Sequence, residues 1–125
     1  QFHEAAKKLQ EALEVEPSFA VAIATLGLVY RRLGELTKNN RGQQIRYYNM
    51  AEEKLLTALE LDDKLLNNDG ESYQGTLGSL YRRQGRFDEA IERYHHAAKI
   101  TPGRSYPFLN LALLYYEQVD ILPMP

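Results

Sequence analysis

A chain of 125 residues is one domain's worth of polypeptide, and 44% hydrophobic with 26% charged residues is an ordinary globular composition that excludes disorder as the main state. The formal net charge of −2, with Arg pairs interleaved with Glu and Asp, leaves no basic excess for phosphates and excludes nucleic acid as a main partner. The absence of Cys excludes disulfides and thiolate metal sites. No apolar run is long enough to read as a membrane span. Composition does not set the compartment, and a cytoplasmic setting is the favoured expectation. The chain begins at Gln1, not Met, and reads as a piece of a longer protein.

Helical periodicity runs through nearly the whole chain. In the first segment Phe2, Ala5, Leu9, Ala12 and Val15 recur at steps of three or four and share one stripe, which Pro17 ends. A second segment opens after Ser18 as N-cap and places Ile23, Leu26, Tyr30 and Leu33 on one face, with Gly34 as its C-terminal stop. A third begins near Gln44 with Ile45, Tyr48, Glu52, Leu55 and Leu59 on one side, widened by Ala51, Ala58 and Leu61. Asn67, Asn68, Asp69 and Gly70 give the clearest turn signal in the sequence. Helices then follow at about 71–84, stopped by Gly85, at about 87–100, stopped by Pro102, and at about 106–119. Six helices and no convincing strand give an all-α reading.

Internal repetition arranges these helices. LGLVYRRLGE at 26–35 returns as LGSLYRRQGR at 77–86, sharing Leu-Gly, Tyr-Arg-Arg and Gly. From Leu77-Gly78 and Tyr81 to Leu111-Ala112 and Tyr115 the step is 34 residues. Leu77-Gly78, Tyr81, Gly85, Ala90, Tyr94, Ala97 and Pro102 together resemble the tetratricopeptide repeat, with Gln74 in the slot where that family places Trp. Ile23, Leu26-Gly27, Tyr30 and Gly34 match a first helix. Ala51, Leu55 and Ala58 match a second helix, with Asp63 where Pro is usual. Ala5, Leu9, Ala12 and Pro17 match a second helix that has no first helix before it.

The distance of 51 residues between Gly27 and Gly78 is one period of 34 lengthened by two insertions, of 12 residues between Gly34 and Ala51 and of 5 before Gly70. Both fall at loops, where repeat arrays accept extra residues. The expected organisation is a single domain over 1–125. It holds a second helix at 1–17, a repeat at 18–65 carrying the insertion near 35–50, a complete repeat at 70–103 and a first helix at 104–119. A four-helix bundle would account for the helices but not for the period. The resemblance implies a right-handed α-solenoid of antiparallel helix hairpins in which small residues (Gly27, Gly78, Ala51, Ala58, Ala90, Ala97) let helices approach and Tyr30, Tyr81 and Tyr115 fill the space between neighbours.

Signals for catalysis or metal binding are thin. His95 and His96 are adjacent, so on a helix they point about 100° apart and cannot share one ion as i, i+4 partners do. Glu92, three and four residues before them, would need a second such motif to build a bundle metal site. No nucleophile triad or nucleotide-binding glycine loop is present; Gly75-Thr76-Leu77-Gly78 reads as close helix packing. Neither enzymatic activity nor a cofactor is expected.

The resemblance instead implies a protein-interaction scaffold, because first helices of this family line a concave groove that takes peptide ligands. The corresponding positions here are Val21, Thr25, Leu28, Arg31 and Arg32, then Ser72, Thr76, Ser79, Arg82 and Arg83, then Tyr106, Asn110, Leu113 and Tyr116. Arg31 and Arg82 are expected to be neighbours along that groove and to hold an acidic peptide or carboxylate bidentately. The plain alternative is that these Arg residues sit near helix C-termini because the dipole favours them there. Family members that clamp a C-terminal carboxylate carry Asn directly after the conserved Gly; Leu28 and Ser79 stand there instead.

Two further expectations concern the insertion and the ends. Leu36, Ile45 and Tyr48 can continue the apolar faces, which makes the hairpin taller and closes it near Asn39 to Gly42. Alternatively Arg41, Arg46 and Tyr47 form a recognition tip. At the ends, a second helix lacking its first and a first helix lacking its second leave apolar faces bare. Residues 106–119 of one copy are therefore expected to be able to pair with residues 2–16 of another, giving a homo-oligomer through a heterologous contact.

Overall fold

The computed structural model describes residues 1–121. Among them are six α-helices, with one isolated antiparallel bridge between Leu66 and Ser72 as the remaining regular pairing. The chain divides into two units, the first ending at Leu65 and the second beginning at Leu66.

In the first unit α1 (Phe2–Val15) packs on α2 (Ala20–Leu36), which packs in turn on α3 (Arg41–Leu61). The buried side of α1 centres on Ala6, with Phe2, Leu9 and Leu13 partly covered, whereas Val15 is 88% exposed. The buried residue thus lies outside the stripe read in the sequence. Two apolar series overlap on this helix: Ala6 is buried, and Ala5, Leu9, Ala12 and Leu13 are all partly covered. Helix α2 starts one residue later than expected, with Phe19 and not Ser18 at the N-cap and no side-chain bond there.

The α2–α3 hairpin is the taller one, at 17 and 21 residues against 11 and 14 for the equivalent helices of the second unit. Asn40 opens α3 by accepting a hydrogen bond from the Gln43 backbone N–H at 3.1 Å, so α3 begins at Arg41, before the expected Gln44. Gly34 does not stop α2. It is buried inside the helix, where a Cβ would lie 2.5 Å from the Tyr48 ring, and the Gln44 side chain donates to its carbonyl at 3.0 Å. Tyr48 and Gln44 thus hold the extension together, while Leu36 and Ile45 stand 67% and 51% exposed and do not continue an apolar face.

The second unit opens with a tight turn. The Asn67 carboxamide oxygen accepts from the Asp69 and Glu71 N–H groups, and Gly70 adopts φ +77°, a left-handed conformation that suits glycine. Ser72 then caps α4 (Tyr73–Arg83) through the Gln74 N–H at 3.0 Å. The helix ends in a Schellman arrangement. Gly85 is left-handed at φ +77°, its N–H bonds the Arg82 carbonyl, and the Arg86 N–H bonds the Tyr81 carbonyl at 2.9 Å. Helices α5 (Phe87–Ile100) and α6 (Tyr106–Ile121) complete the unit, with α5 packed against both neighbours.

The two hairpins share one packing scheme. Gly27 of α2 lies against Leu55 and the Ala51 carbonyl of α3, and Gly78 of α4 lies against the Tyr94 ring and the Ala90 carbonyl of α5. Ala51, Leu55, Ala58, Ala90 and Tyr94 are wholly buried, and Ala97 nearly so. Tyr30 and Tyr81 are buried between helices as expected, but Tyr115 is 46% exposed because no described helix covers its side of α6. In the slot where the family pattern has Trp, Gln74 is buried and accepts a hydrogen bond from Arg93 Nη1 at 2.8 Å, so a polar pair replaces an aromatic wedge. Gln74→Ala is expected to destabilise the fold by about 1–3 kcal/mol, because Arg93 loses a buried acceptor and a void opens. Urea unfolding followed by circular dichroism measures this; a loss below about 0.5 kcal/mol would be that of an ordinary surface change.

Candidate peptide-binding face

The expected groove residues sit on α2, α4 and α6. On α2, Val21 is exposed while Thr25 and Leu28 are partly covered, and the Thr25 hydroxyl is spent on the Val21 carbonyl at 2.7 Å. Arg31 and Arg32 converge on Glu35, one turn further along, at 3.6 and 3.4 Å. The Arg32 guanidinium also lies over the Phe2 ring, 5.6 Å from its centre. These guanidiniums therefore form a cluster built round an internal carboxylate.

On α4, Ser72 is buried as the helix cap, and Thr76 is partly covered. Ser79 shares a hydrogen bond of 2.9 Å with the Tyr94 hydroxyl. Arg82 reaches across to α6 and grips Glu117 with both arms of its fork, Nε to Oε2 at 3.1 Å and Nη2 to Oε1. This bidentate bond, reinforced by Tyr94, raises the Arg82 pKa above its ordinary value despite partial burial. Ser79, Arg82, Arg83, Phe87 and Glu117 line a cleft of about 360 Å³. Nearby, Arg86 lies over the Tyr81 ring at 4.2 Å and pairs with Glu89, whose carboxyl pKa is lowered by that hydrogen bond. On α6, Asn110 is partly covered, whereas Tyr106, Leu113 and Tyr116 are exposed.

Within the second unit Ser79, Arg82 and Arg83 line one cleft, and within the first Arg31 and Arg32 both meet Glu35. Sequence reading passed over Phe87, Glu35 and Glu117. A signal for Glu117 was present: one period of 34 from Arg83 lands on it, so the Tyr-Arg-Arg of α4 is answered by Tyr115-Tyr116-Glu117 on α6. Neighbouring first helices at equal height place the acid beside the base.

A family model for the TPR repeat matches residues 78–119, from the middle of α4 through α5 into α6. Over these residues the chain is similar to the tetratricopeptide repeat. The match covers the copy whose spacing is cleanest, and its limits Gly78 and Val119 enclose the Arg82–Glu117 bond. No curated protein matches the chain. Among the described residues no group of three or more His, Cys, Asp or Glu is placed to hold a metal ion, and no helix is long and apolar enough to cross a membrane.

Proposed function

We propose that this chain is a protein-interaction scaffold in which the first-helix faces receive a peptide or protein segment bearing carboxylates. Tetratricopeptide repeats generally mediate protein–protein interaction, and the chemistry of the α4–α6 cleft supports an acidic ligand. The observation that carries this reading is the fork of Arg82, already arranged to take a carboxylate edge-on with Phe87 and Ser79 beside it. Glu117 occupies that fork, so an incoming Asp, Glu or C-terminal carboxylate competes with it. Tyr106 and Tyr116 add exposed aromatic surface for stacking along α6. The Arg31–Arg32–Glu35 cluster on α2 offers the same chemistry in the first unit.

The competition supplies the test. The Arg82–Glu117 pair is about one-third exposed on each side, so its rupture costs on the order of 0.2–1 kcal/mol. Glu117→Gln is therefore expected to tighten binding of a labelled Glu- and Asp-rich peptide by about 1.4- to 5-fold, measured by fluorescence anisotropy at low salt. Arg82→Ala should abolish that gain in the double variant, and Arg31→Ala with Arg82→Ala should weaken binding further. Affinity unchanged in all three variants would end the acidic-groove reading.

A further inference from the structure

We infer that the tip of the α2–α3 hairpin is a docking surface for an acidic segment of a partner protein, one that carries an aliphatic side chain among its carboxylates. The tip is where this hairpin outgrows α4–α5, and its charge is unlike that of the rest of the chain. Between Glu35 and Glu52 the sequence holds Lys38, Arg41 and Arg46 and no acidic residue, although the whole chain carries −2. All three cations are exposed, and among the described residues none of them meets a carboxylate. Elsewhere the arginines are engaged: Arg31 and Arg32 on Glu35, Arg82 on Glu117, Arg86 on Glu89, Arg93 on Gln74 and Arg104 on the Asp69 carbonyl. The fold thus pairs its other guanidiniums internally and leaves to solvent the two that the insertion brought with it.

An apolar spot accompanies them. Leu36 and Ile45 lie on the same tip, 67% and 51% exposed. Going round α3 at about 100° per residue, Ile45 falls between Arg41 and Arg46. An aliphatic side chain is therefore flanked by two planar forks of the kind that take carboxylates edge-on. The tip is also built before anything binds. Gly34 lies against Tyr48, the Gln44 side chain donates to the Gly34 carbonyl, the Thr37 hydroxyl donates to the Leu33 carbonyl at 3.0 Å, and Asn40 caps α3. A partner meets a backbone already in place, so association orders side chains alone.

Charge complementarity and the apolar spot together set the class of occupant. Three cations fall short of the clusters of about four to eight that mark recognition of anionic lipid. The aromatic residues of the insertion are turned inward, Tyr47 stacking on Tyr30 with ring centres 6.4 Å apart and Tyr48 covering Gly34, which leaves none to stack on bases or to sit among lipid headgroups. Of the recognition tip expected from the sequence, Arg41 and Arg46 remain and Tyr47 does not.

A short labelled peptide of glutamate and leucine tests this by fluorescence anisotropy at low salt. The reference is the Arg31→Ala, Arg82→Ala chain, in which the α4–α6 cleft and the α2 cluster have each lost a guanidinium. Adding Arg41→Gln and Arg46→Gln should weaken binding by about 2- to 25-fold, which is about 1.4- to 5-fold for each exposed pairing lost. Ile45→Ser should weaken the leucine peptide and leave unchanged a peptide in which serine replaces leucine. Circular dichroism should stay the same in each variant, because the altered side chains are exposed. Equal affinity with and without the tip substitutions, or no binding of the peptide at all, would overturn the proposal. So would a tip that binds phosphatidylserine vesicles in preference to the peptide, which would make it a lipid contact. Glu117→Gln tests the acidic-groove reading with the tip intact, so either reading can fail without the other.

Discussion

Tyr94→Ala is expected to destabilise the protein by about 3–5 kcal/mol, a large fraction of the stability of a domain this size. Tyr94 is the largest wholly buried side chain, and its ring fills the space left by Gly78 so closely that a Cβ there would lie 2.9 Å from two ring carbons. The substitution empties that space and also removes the hydroxyl that bonds Ser79 and supports Arg82. Tyr94→Phe separates the two losses, because it keeps the ring and removes one hydrogen bond, for about 0.5–1.5 kcal/mol. Urea unfolding by circular dichroism gives both values. If Tyr94→Ala cost no more than Tyr94→Phe, the close approach of α4 and α5 would not depend on the ring.

The corresponding change in the first unit is Leu55→Ala, expected to cost about 2–5 kcal/mol. Leu55 is wholly buried and holds the position in α3 that Tyr94 holds in α5, against Gly27. A void opposite glycine cannot be filled from the other side, since Gly27 has no side chain to move into it. Hydrogen exchange should show the loss first in α2 and α3, whereas Tyr94→Ala should expose α4 and α5 first. Uniform loss of protection in both variants would mean that the chain opens only as a whole.

How far the sequence was legible depended on local punctuation. Helix α5 runs from Phe87 to Ile100 as expected, because Gly85 and Pro102 bracket it with backbone constraints that act without tertiary help. The start of α3 was misplaced for the converse reason. Asn40 serves equally in a loop or as a helix cap, and only the Gln43 N–H bond decides which. Ala6, the buried residue of α1, lay outside the stripe read in the sequence, since periodicity finds apolar residues without saying which neighbour each one meets. At the candidate site, the Arg pairs were visible as a repeated motif. Their partners Glu35 and Glu117 were not, because a carboxylate one turn or one repeat away is an ordinary surface residue until the fold sets its distance. Gln74 occupied a slot that looked vacant in the family pattern, and the compensating residue, Arg93, lies on the next helix.

Gly34 and Gly85 hold the same place in two copies of one repeat, yet one runs inside a helix beneath Tyr48 and the other turns the chain out of its helix. An insertion downstream can thus convert a terminator into an interior contact while the residue itself stays the same. Repeat length can therefore drift by whole helical turns without first mutating the stop. An alignment of the two copies would record an unchanged glycine at a point where its job has been exchanged.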